Sequence, residues 1–363
     1  MNNRERFLRT LQFQPVDHPP VYPEAVWSTT LARWRQEGLP ENVSPQEYFG
    51  LEPLPLVYAG LNTGPFPPFE EKVLHQEGHQ EVRIDHYGRT IRDYNDHTTM
   101  PEWLDFPVKS PDELKNLLAE KFHPDLLAER WPSDWLARVK KWQQDGPGRD
   151  YILFLDGGCY YGILRNLCGV ETASYLFYDA ADLVNELFER VNFFCLEGIN
   201  RARQAGLNID YLGFGEDIAF KTGPLVSPDI FQKFFFPRYR KVVATAVESG
   251  ISLLVYDSDG CLLPLLDDLL KSGIDCFWPC EVAAGMDPLL LRKKLGCRLK
   301  MLGGIDKRAL PGGKEAIKKE IDRKIPVVRE GGYIPRIDHS VSSDISLENY
   351  TFYLNYLREI LEK

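Results

Sequence analysis

The sequence lacks long apolar runs and has no excess of basic residues. No stretch approaches the roughly 18 uncharged apolar residues from which a membrane-spanning helix is read. Acidic residues outnumber basic ones, 53 against 43, and the formal net charge is -10. This sign opposes binding to nucleic acid through its phosphates and docking on anionic lipid. We therefore predict no nucleic acid and no membrane among the partners of this chain.

Cysteine is scarce, and a secretory signal pattern is missing. The seven cysteines are scattered over 363 residues, which fits a reducing compartment better than a disulfide framework. The charged opening, residues 1–6, is followed by no apolar signal core. These features predict a cytoplasmic protein. The length and the hydrophobic content of 44% suit one large α/β barrel or two domains of ordinary size.

Short apolar runs alternate with helical stretches from residue 151 onward. The runs lie at residues 151–155, 209–213, 251–256, 274–278, 298–302 and 332–335, and each leads to polar residues. Such alternation is typical of parallel βα units. With a further strand near Val21, the pattern predicts a (β/α)8 TIM barrel that forms one domain over residues 1–363. An insertion-rich segment is predicted at about 25–150, with a hairpin near 80–94.

An open, doubly wound sheet is the alternative architecture. It would be favoured by a glycine-rich phosphate loop, and the nearest candidate is the segment 156–162. That segment lacks the required spacing and a matching ribose-binding acid. A second apparent motif is the group of histidines at 75, 79, 86 and 97. Its spacing matches no standard zinc site, so solvated side chains of the insertion are the favoured interpretation.

Acidic residues follow almost every predicted strand. In a barrel, the loops after the strands form the active face, so polar groups there are candidate site residues. Acids at such positions also cap the next helix, and we assign about half of them to this role. The acids are Glu24, Asp156, Glu216, Asp217, Asp257, Asp259, Glu281, Asp306 and Asp338.

Two sites stand out from the capping pattern, an aspartate pair and a histidine. Asp257 and Asp259 are alternate residues after a buried strand, so in an extended chain both side chains point the same way. Crowded like charges need a cation, a basic residue or a shared proton. His339 is the only histidine after His123 and follows the last predicted strand. Two aspartates and one histidine could hold a divalent metal, zinc or another; without a metal, Arg336 is a candidate partner.

These residues belong to motifs that resemble the uroporphyrinogen decarboxylase-like (URO-D) superfamily. The closest resemblance is to its divergent bacterial branch, which is related to the corrinoid-dependent methyltransferases. The resemblance covers nearly the whole chain and implies a TIM barrel. It also implies either decarboxylation of uroporphyrinogen or methyl transfer between a corrinoid carrier and a thiol or similar acceptor. The motifs are the opening segments 4–11 and 17–21, Gly215-Glu216-Asp217 with Gly223-Pro224, Asp259-Gly260, segment 303–306, and segment 331–335 with Asp338-His339.

The chain departs from the superfamily pattern at both places where ligands are held. The decarboxylases carry an Arg-Gln-Ala-Gly-Arg segment that binds substrate carboxylates, whereas residues 22–27 contain no arginine and add Glu24. The resembling methyltransferases bind zinc through His-x-Cys and a later cysteine. Asp257, Asp259 and His339 stand at those positions here, which makes the set richer in oxygen and less suited to zinc thiolate chemistry.

The resemblance and the residues together predict a methyltransferase that moves a methyl group between a corrinoid carrier and a small acceptor or donor. The alternatives are a uroporphyrinogen decarboxylase-type carboxy-lyase and a non-catalytic protein that binds a corrinoid or tetrapyrrole. The corrinoid would be supplied by a partner protein, and Asp257, Asp259 and His339 would hold a metal or position the acceptor. The predicted catalytic residues are Glu216, Asp217 and Glu281. The predicted substrate-binding residues are Glu24, Trp27, Asp156, Tyr160, Tyr256, Asp306 and Asp338.

Overall fold

The computed structural model describes residues 1–94 and 100–362, in which short strands alternate with amphipathic helices. His97 of the histidine group lies outside the described residues. The strands are β1 (Leu56–Tyr58), β2 (Lys72–Glu77), β3 (Gln80–Ile84), β4 (Thr90–Tyr94), β5 (Glu102–Asp105), β6 (Ile152–Asp156), β7 (Tyr211–Gly215), β8 (Ala219–Phe220), β9 (Gly223–Pro224), β10 (Leu254–Asp257), β11 (Cys276–Trp278), β12 (Lys300–Ile305) and β13 (Tyr333–Ile337).

The helices surround the strands and supply most of the outer core. They are α1 (Asn3–Leu11), α2 (Ser28–Gln36), α3 (Pro45–Tyr48), α4 (Pro111–Lys121), α5 (Trp135–Asp145), α6 (Tyr160–Asp179), α7 (Ala181–Gln204), α8 (Pro228–Ile230), α9 (Phe236–Glu248), α10 (Leu266–Ser272), α11 (Pro288–Leu295), α12 (Lys314–Glu330) and α13 (Leu347–Leu361). Within the described chain, none of them is both long and apolar enough to cross a bilayer. All seven cysteines are free.

A parallel sheet of seven strands forms the centre, in the order β1-β6-β7-β10-β11-β12-β13. The order follows the chain, and helices such as α7, α9 and α12 connect successive strands, as parallel pairing requires. This confirms the predicted α/β class and its run of parallel βα units. It also places the carboxyl ends of all seven strands at one edge.

The sheet curls around its own apolar side chains. Inward residues of six strands form one buried cluster with Phe7 and Leu11 of α1 and with Tyr22. The members from the strands and their flanks are Ile152, Tyr211, Leu253, Val255, Cys276, Leu302 and Ile334. Helix α1 lies across the amino-terminal end of the sheet, where the Gly332 N–H donates to the Thr10 carbonyl at 2.8 Å. The open end of the curl is therefore the carboxyl end of the strands.

The gap between β13 and β1 is occupied by the segment after α1. Val26 forms a single parallel bridge with Val341, just beyond β13. In residues 1–94 and 100–362 no ladder joins β1 to β13, so the sheet is a curled half-barrel rather than a closed barrel of eight strands. The strand predicted near Val21 is reduced to this bridge, and β1, which the sequence did not indicate, takes a place in the sheet.

The insertion carries a four-stranded antiparallel sheet in the order β2-β3-β4-β5. The predicted hairpin corresponds to β3 and β4, and its turn contains Gly88 at a φ of 81°. That backbone conformation favours glycine. Because the Gly88 N–H donates to the Asp85 carbonyl at 2.8 Å, the turn is closed by its own backbone.

Candidate active site

A cavity of about 760 Å³ lies at the carboxyl end of the curled sheet. Aromatic side chains form much of its wall. The rings of Phe154 and Tyr211 stack with their centroids 5.2 Å apart, and the Tyr58 ring lies 5.4 Å from that of Phe154. Trp278 and Trp131 also line the cavity. The space is therefore large and mainly apolar, as small-molecule sites usually are.

Two predicted site residues, Asp156 and Asp257, reach into this cavity. Asp156 accepts hydrogen bonds from the Thr63 hydroxyl and, at 2.9 Å, from the Gly158 N–H. Burial raises the pKa of Asp156, and those two donors oppose the rise. Asp156 lies two residues after Phe154 on the same strand face, so the period of the pleat places an acid above an aromatic ring.

A strand that carries glycine separates the two acids. In the parallel register, Asp156 lies beside Gly213 of β7 and Asp257 lies beside Gly215. A Cβ atom placed on Gly215 would meet nothing within 4 Å. Because neither glycine carries a side chain, the space between the two carboxyl groups stays open to a ligand.

Asp257 also lines a second cavity, of about 170 Å³, together with Asp259 and His339. The three residues of the predicted metal set thus converge on one place, although His339 lies about 80 residues after the two aspartates. Burial, followed by the charges of Asp217 and Asp259, raises the pKa of Asp257 to about 7, while Arg336 opposes the rise. Within the described part of the chain, no donor forms a hydrogen bond with the Asp257 carboxyl group.

Asp259 and His339 form a pair beside Asp257. The His339 Nε2 atom lies 3.3 Å from the Asp259 Oδ2 atom, and the Ser340 N–H donates to Nδ1 at 2.8 Å. An Nδ1 that accepts places the ring proton of the neutral tautomer on Nε2, which then donates to Asp259. This bond raises the pKa of His339, against the effect of burial. Both ring nitrogens are therefore engaged.

A metal at this place would have to displace protons, because metal ligands bind in their deprotonated form. In the structure, His339 Nε2 faces Asp259 and Nδ1 accepts from the Ser340 N–H. Among residues 1–94 and 100–362, no group of three or more His, Cys, Asp or Glu side chains is placed to hold a metal ion. The three residues form an acid–histidine cluster, and metal binding by them stays a prediction.

Several other predicted site residues hold the backbone together. Glu216 accepts from the N–H groups of Tyr160, Tyr161 and Gly162, at 2.7–3.2 Å, and from the Tyr239 hydroxyl at 2.6 Å. Burial raises the pKa of Glu216 to about 7, and these four donors oppose the rise. Four donors around one carboxylate indicate a helix cap for α6 rather than a group exposed to substrate.

The same holds for the acids at the ends of the later strands. Asp338 accepts from the N–H groups of Val282 and Lys307, at 2.9 and 3.1 Å, and burial raises its pKa to about 6. Asp306 accepts from the Arg308 N–H at 3.0 Å and pairs with its guanidinium. Glu281 accepts from the Gly260 N–H at 3.1 Å. Asp338 and Glu281 thus join neighbouring loops at the mouth, whereas Asp306 caps the turn that follows it.

Glu24 and Arg336 form an ion pair in the wall of the second cavity. The Arg336 Nη2 lies 2.5 Å from the Glu24 Oε2, and the Ile337 N–H donates to the Glu24 Oε1 at 3.1 Å. Glu24, predicted to bind substrate, is therefore paired within the protein. Asp217 lies nearer the surface, where its Oδ2 is 3.3 Å from the Arg165 Nη2.

Trp27, Tyr160 and Tyr256 line neither cavity, and their role in substrate binding stays a prediction. Tyr256 is fully buried between the sheet and the helices, with its hydroxyl 3.4 Å from that of Tyr239. The reason is the pleat: Asp257 points inward, so its neighbour points outward. The Tyr160 hydroxyl donates to Asn192 at 3.0 Å, and Trp27 lines a separate surface cavity.

The sequence interpretation missed the aromatic wall. Phe154 could have been found by counting two residues back from Asp156 along the strand, because alternate residues share a face. Tyr211 and Trp278 could have been found in the same way as inward residues of neighbouring strands. Tyr58 carried no such signal, since β1 has only three residues. Arg336 was named only as a possible partner for the acids.

Comparison with known proteins agrees with this architecture. The family model described as "Uroporphyrinogen decarboxylase (URO-D)" matches residues 163–360. Uroporphyrinogen decarboxylases from Pseudomonas putida (strain GB-1) and Pseudomonas entomophila (strain L48) are each 22% identical over 146 residues. Each match covers 38% of this chain and only 39% of the relative's length.

A solved structure extends the likeness over the full length. The fold is similar to that of a methyltransferase from Methanosarcina mazei, with a TM-score of 0.60 and 18% identity over 99% of both chains. At 18% identity, this structural similarity shows the fold alone. The family model, in contrast, matches more than half of the chain, from α6 to α13. The chain therefore belongs to the uroporphyrinogen decarboxylase (URO-D) family.

Proposed function

We propose that this protein is an enzyme that transfers a methyl group between a corrinoid carrier and a small molecule bound in the 760 Å³ cavity. The observation that carries the proposal is the chemistry of the cavity wall, which is aromatic and acidic. Such a wall suits a small methylated compound. The cavity lies at the carboxyl end of the strands, which is where barrel-type folds carry their active sites.

The charge of the wall is the main argument against a tetrapyrrole substrate. A polycarboxylate such as uroporphyrinogen needs several cations to hold it. In the described wall, the one arginine is Arg130, and its N–H groups donate to the carbonyls of Asn62, Gly64 and Lys121 at 2.5–2.9 Å. Arg336, the cation of the second cavity, is paired with Glu24. Neither guanidinium is available to bind a substrate carboxylate.

Asp257 is the group best placed to handle a proton at the reacting end of the substrate. It lies at the junction of the two cavities, and its pKa of about 7 allows either protonation state near neutral pH. The Asp259–His339 pair lies beside it and could accept or return the proton. A corrinoid carrier, when bound, would supply a cobalt centre that takes up or gives the methyl group. The open mouth is the side from which such a carrier could approach.

Decarboxylation is the second candidate, and the family match favours it. Replacing carbon dioxide by hydrogen requires a group that gives a proton to carbon, and a carboxyl group with a pKa of about 7 can do this. The substrate would then have to be an acid smaller and less charged than uroporphyrinogen, because the wall has no free cation among its described residues.

The two candidates are separated by parallel anaerobic assays. Purified protein is incubated with reduced cobalamin and a panel of small methylated compounds, and separately with uroporphyrinogen and with smaller carboxylic acids, for which release of carbon dioxide is measured. We expect methylcobalamin to form with at least one compound and the rate to fall about 100-fold or more in Asp257→Asn, the usual loss on removing an acid–base group. The exposed, distant Asp112→Asn serves as the matched control. Formation of coproporphyrinogen at a catalytic rate would instead support the decarboxylase.

A further inference from the structure

The cavity wall has an excess of negative groups. Three acidic residues line it, Glu129, Asp156 and Asp257, against one arginine, Arg130. The Arg130 guanidinium is held by three backbone carbonyls and lies 3.9 Å from the centroid of the Phe194 ring, so its charge is directed into the protein. A ligand in this space therefore meets carboxyl groups rather than cations.

The aromatic part of the wall lies next to these carboxyl groups. Phe154 and Tyr211 stack on the inward face of β6 and β7, and Trp278 lies beside Asp257 in the parallel register. Aromatic faces carry negative potential and attract cations within about 6 Å of the ring centroid. The Trp278 ring already shows this behaviour within the protein, since the Arg336 guanidinium lies 5.5 Å from its centroid.

The glycines of β7 leave room for a bulky group between the acids. Asp156 and Asp257 flank this strand, two strands apart, and Gly213 and Gly215 present only backbone. Strands lie about 4.8 Å apart and rise about 3.3 Å per residue, so two strand spacings and the two-residue offset along β7 put the Cα atoms of the two acids about 12 Å apart. A methylated ammonium group would fit between two carboxyl groups at this spacing, with the stacked rings next to it.

We propose that the large cavity is a binding site for an organic ammonium cation that carries methyl groups, held between Asp156 and Asp257 and against the aromatic side chains of Phe154, Tyr211 and Trp278. This inference names the substrate class of the proposed methyl transfer and rests on that proposal only in treating the cavity as the substrate site. The aromatic rings attract the cation and also offer an apolar surface to its methyl groups. The two carboxylates balance its charge.

Two other occupants of the same cavity make different predictions. A neutral methylated aromatic compound would stack on the rings and would be indifferent to the carboxyl charges. A polycarboxylate would be repelled by them. A comparison of ligands that share one shape but differ in charge therefore tests the inference.

The experiment is isothermal titration calorimetry on the protein alone, with choline and tetramethylammonium as probes. The matched neutral ligand is the carbon isostere of choline, in which a tert-butyl group replaces the trimethylammonium group. We expect choline to bind about tenfold or more tightly than the isostere, a difference of about 1.4 kcal/mol that one cation–π contact can supply. The titrations are run at pH 8, where Asp257, with its pKa of about 7, is mainly ionised. Asp257→Asn then removes charge and keeps shape, so it should weaken choline about tenfold and leave the isostere within about twofold.

Tyr211→Leu is the second variant, since it removes an aromatic face without changing charge, and Asp112→Asn is the control. Circular dichroism first establishes that each variant is folded. Equal affinity for choline and the isostere, no binding of either cation at millimolar concentration, or choline binding unaffected in both site variants would each overturn the inference. The titration contains no corrinoid, so the two proposals can fail independently. The protein can bind the cation and yet transfer no methyl group, and it can transfer a methyl group from a neutral compound without binding the cation.

Discussion

At the scale of single residues, Asp257 differs from the other strand-end acids in its surroundings. Glu216 and Asp338 direct their carboxylates at backbone N–H groups, so their charge is neutralised locally. Asp257 faces two cavities and two other acids, Asp217 and Asp259. Its pKa of about 7 results from burial and from these neighbours. A group of this kind changes its charge within the physiological range, which is typical of functional carboxyl groups.

We predict that Asp217→Asn lowers the pKa of Asp257. After burial, the Asp217 charge is the largest cause of the raised pKa, and removing a negative neighbour makes ionisation easier. The substitution should be tolerated, because Asp217 has a φ of 45° and asparagine accepts that conformation.

If ionised Asp257 is required, the limb of the pH–rate profile of kcat/KM that rises near pH 7 should move to lower pH. The distant Asp112→Asn should leave this limb in place. A limb that stays at the same pH in both variants, or moves to higher pH in Asp217→Asn, would contradict the electrostatic origin of the shift.

At the scale of elements, one buried carboxylate joins the end of β7 to the start of α6. The first N–H groups of a helix have no partner within the helix, and here Glu216 accepts from three of them. The Tyr239 hydroxyl of α9 donates to the same carboxylate, so three elements meet at one side chain. The loop that carries Asp217 begins at this point.

We predict that Glu216→Gln lowers the free energy of unfolding by about 3 kcal/mol. The amide nitrogen of glutamine is a donor and would face donors, which leaves buried N–H groups unsatisfied. Tyr239→Phe is the matched comparison, because it removes one donor and keeps the three backbone bonds; it should cost about 1 kcal/mol. Urea unfolding followed by circular dichroism measures both. Equal stability of Glu216→Gln and the parent protein would show that the Glu216 carboxylate makes no net contribution to the free energy of unfolding.

At the scale of the whole molecule, the last strand of the sheet is joined to the segment that follows α1. The segment after α1 lies beside β13, through the Val26–Val341 bridge and the Glu24–Arg336 ion pair. Both partners of the pair are largely screened from solvent, with side chains 4% and 19% exposed. A buried carboxylate without its partner is costly, so the pair should matter for stability mainly when it is broken on one side.

We predict that Arg336→Met lowers the free energy of unfolding by about 3–5 kcal/mol, because it leaves Glu24 buried and charged. Adding Glu24→Gln should restore part of this loss, since a neutral amide still accepts from the Ile337 N–H. Thermal or urea unfolding of the two single variants and the double variant forms the required cycle. Losses that simply add in the double variant would contradict the coupling.

Sequence pattern alone determined the parallel βα architecture of the second half of the chain. The alternation predicted helical stretches between the later strands, and α7, α9 and α12 lie there. Long periodic segments such as these report their own local structure. The strand β1 was missed because three residues carry no readable period, and its place in the sheet depends on pairing with β6, nearly a hundred residues later.

The sequence also located the acids at the mouth, but only the tertiary structure decided their roles. Asp257, Asp259 and His339 were predicted to meet and do line one cavity. Glu216 could not be told from Asp257 by local pattern, because the N–H groups that bind it come from residues 54–56 positions away. A carboxylate becomes a cap or a free group according to the donors around it. Those donors are brought to it by the packing of other elements, which no local pattern contains.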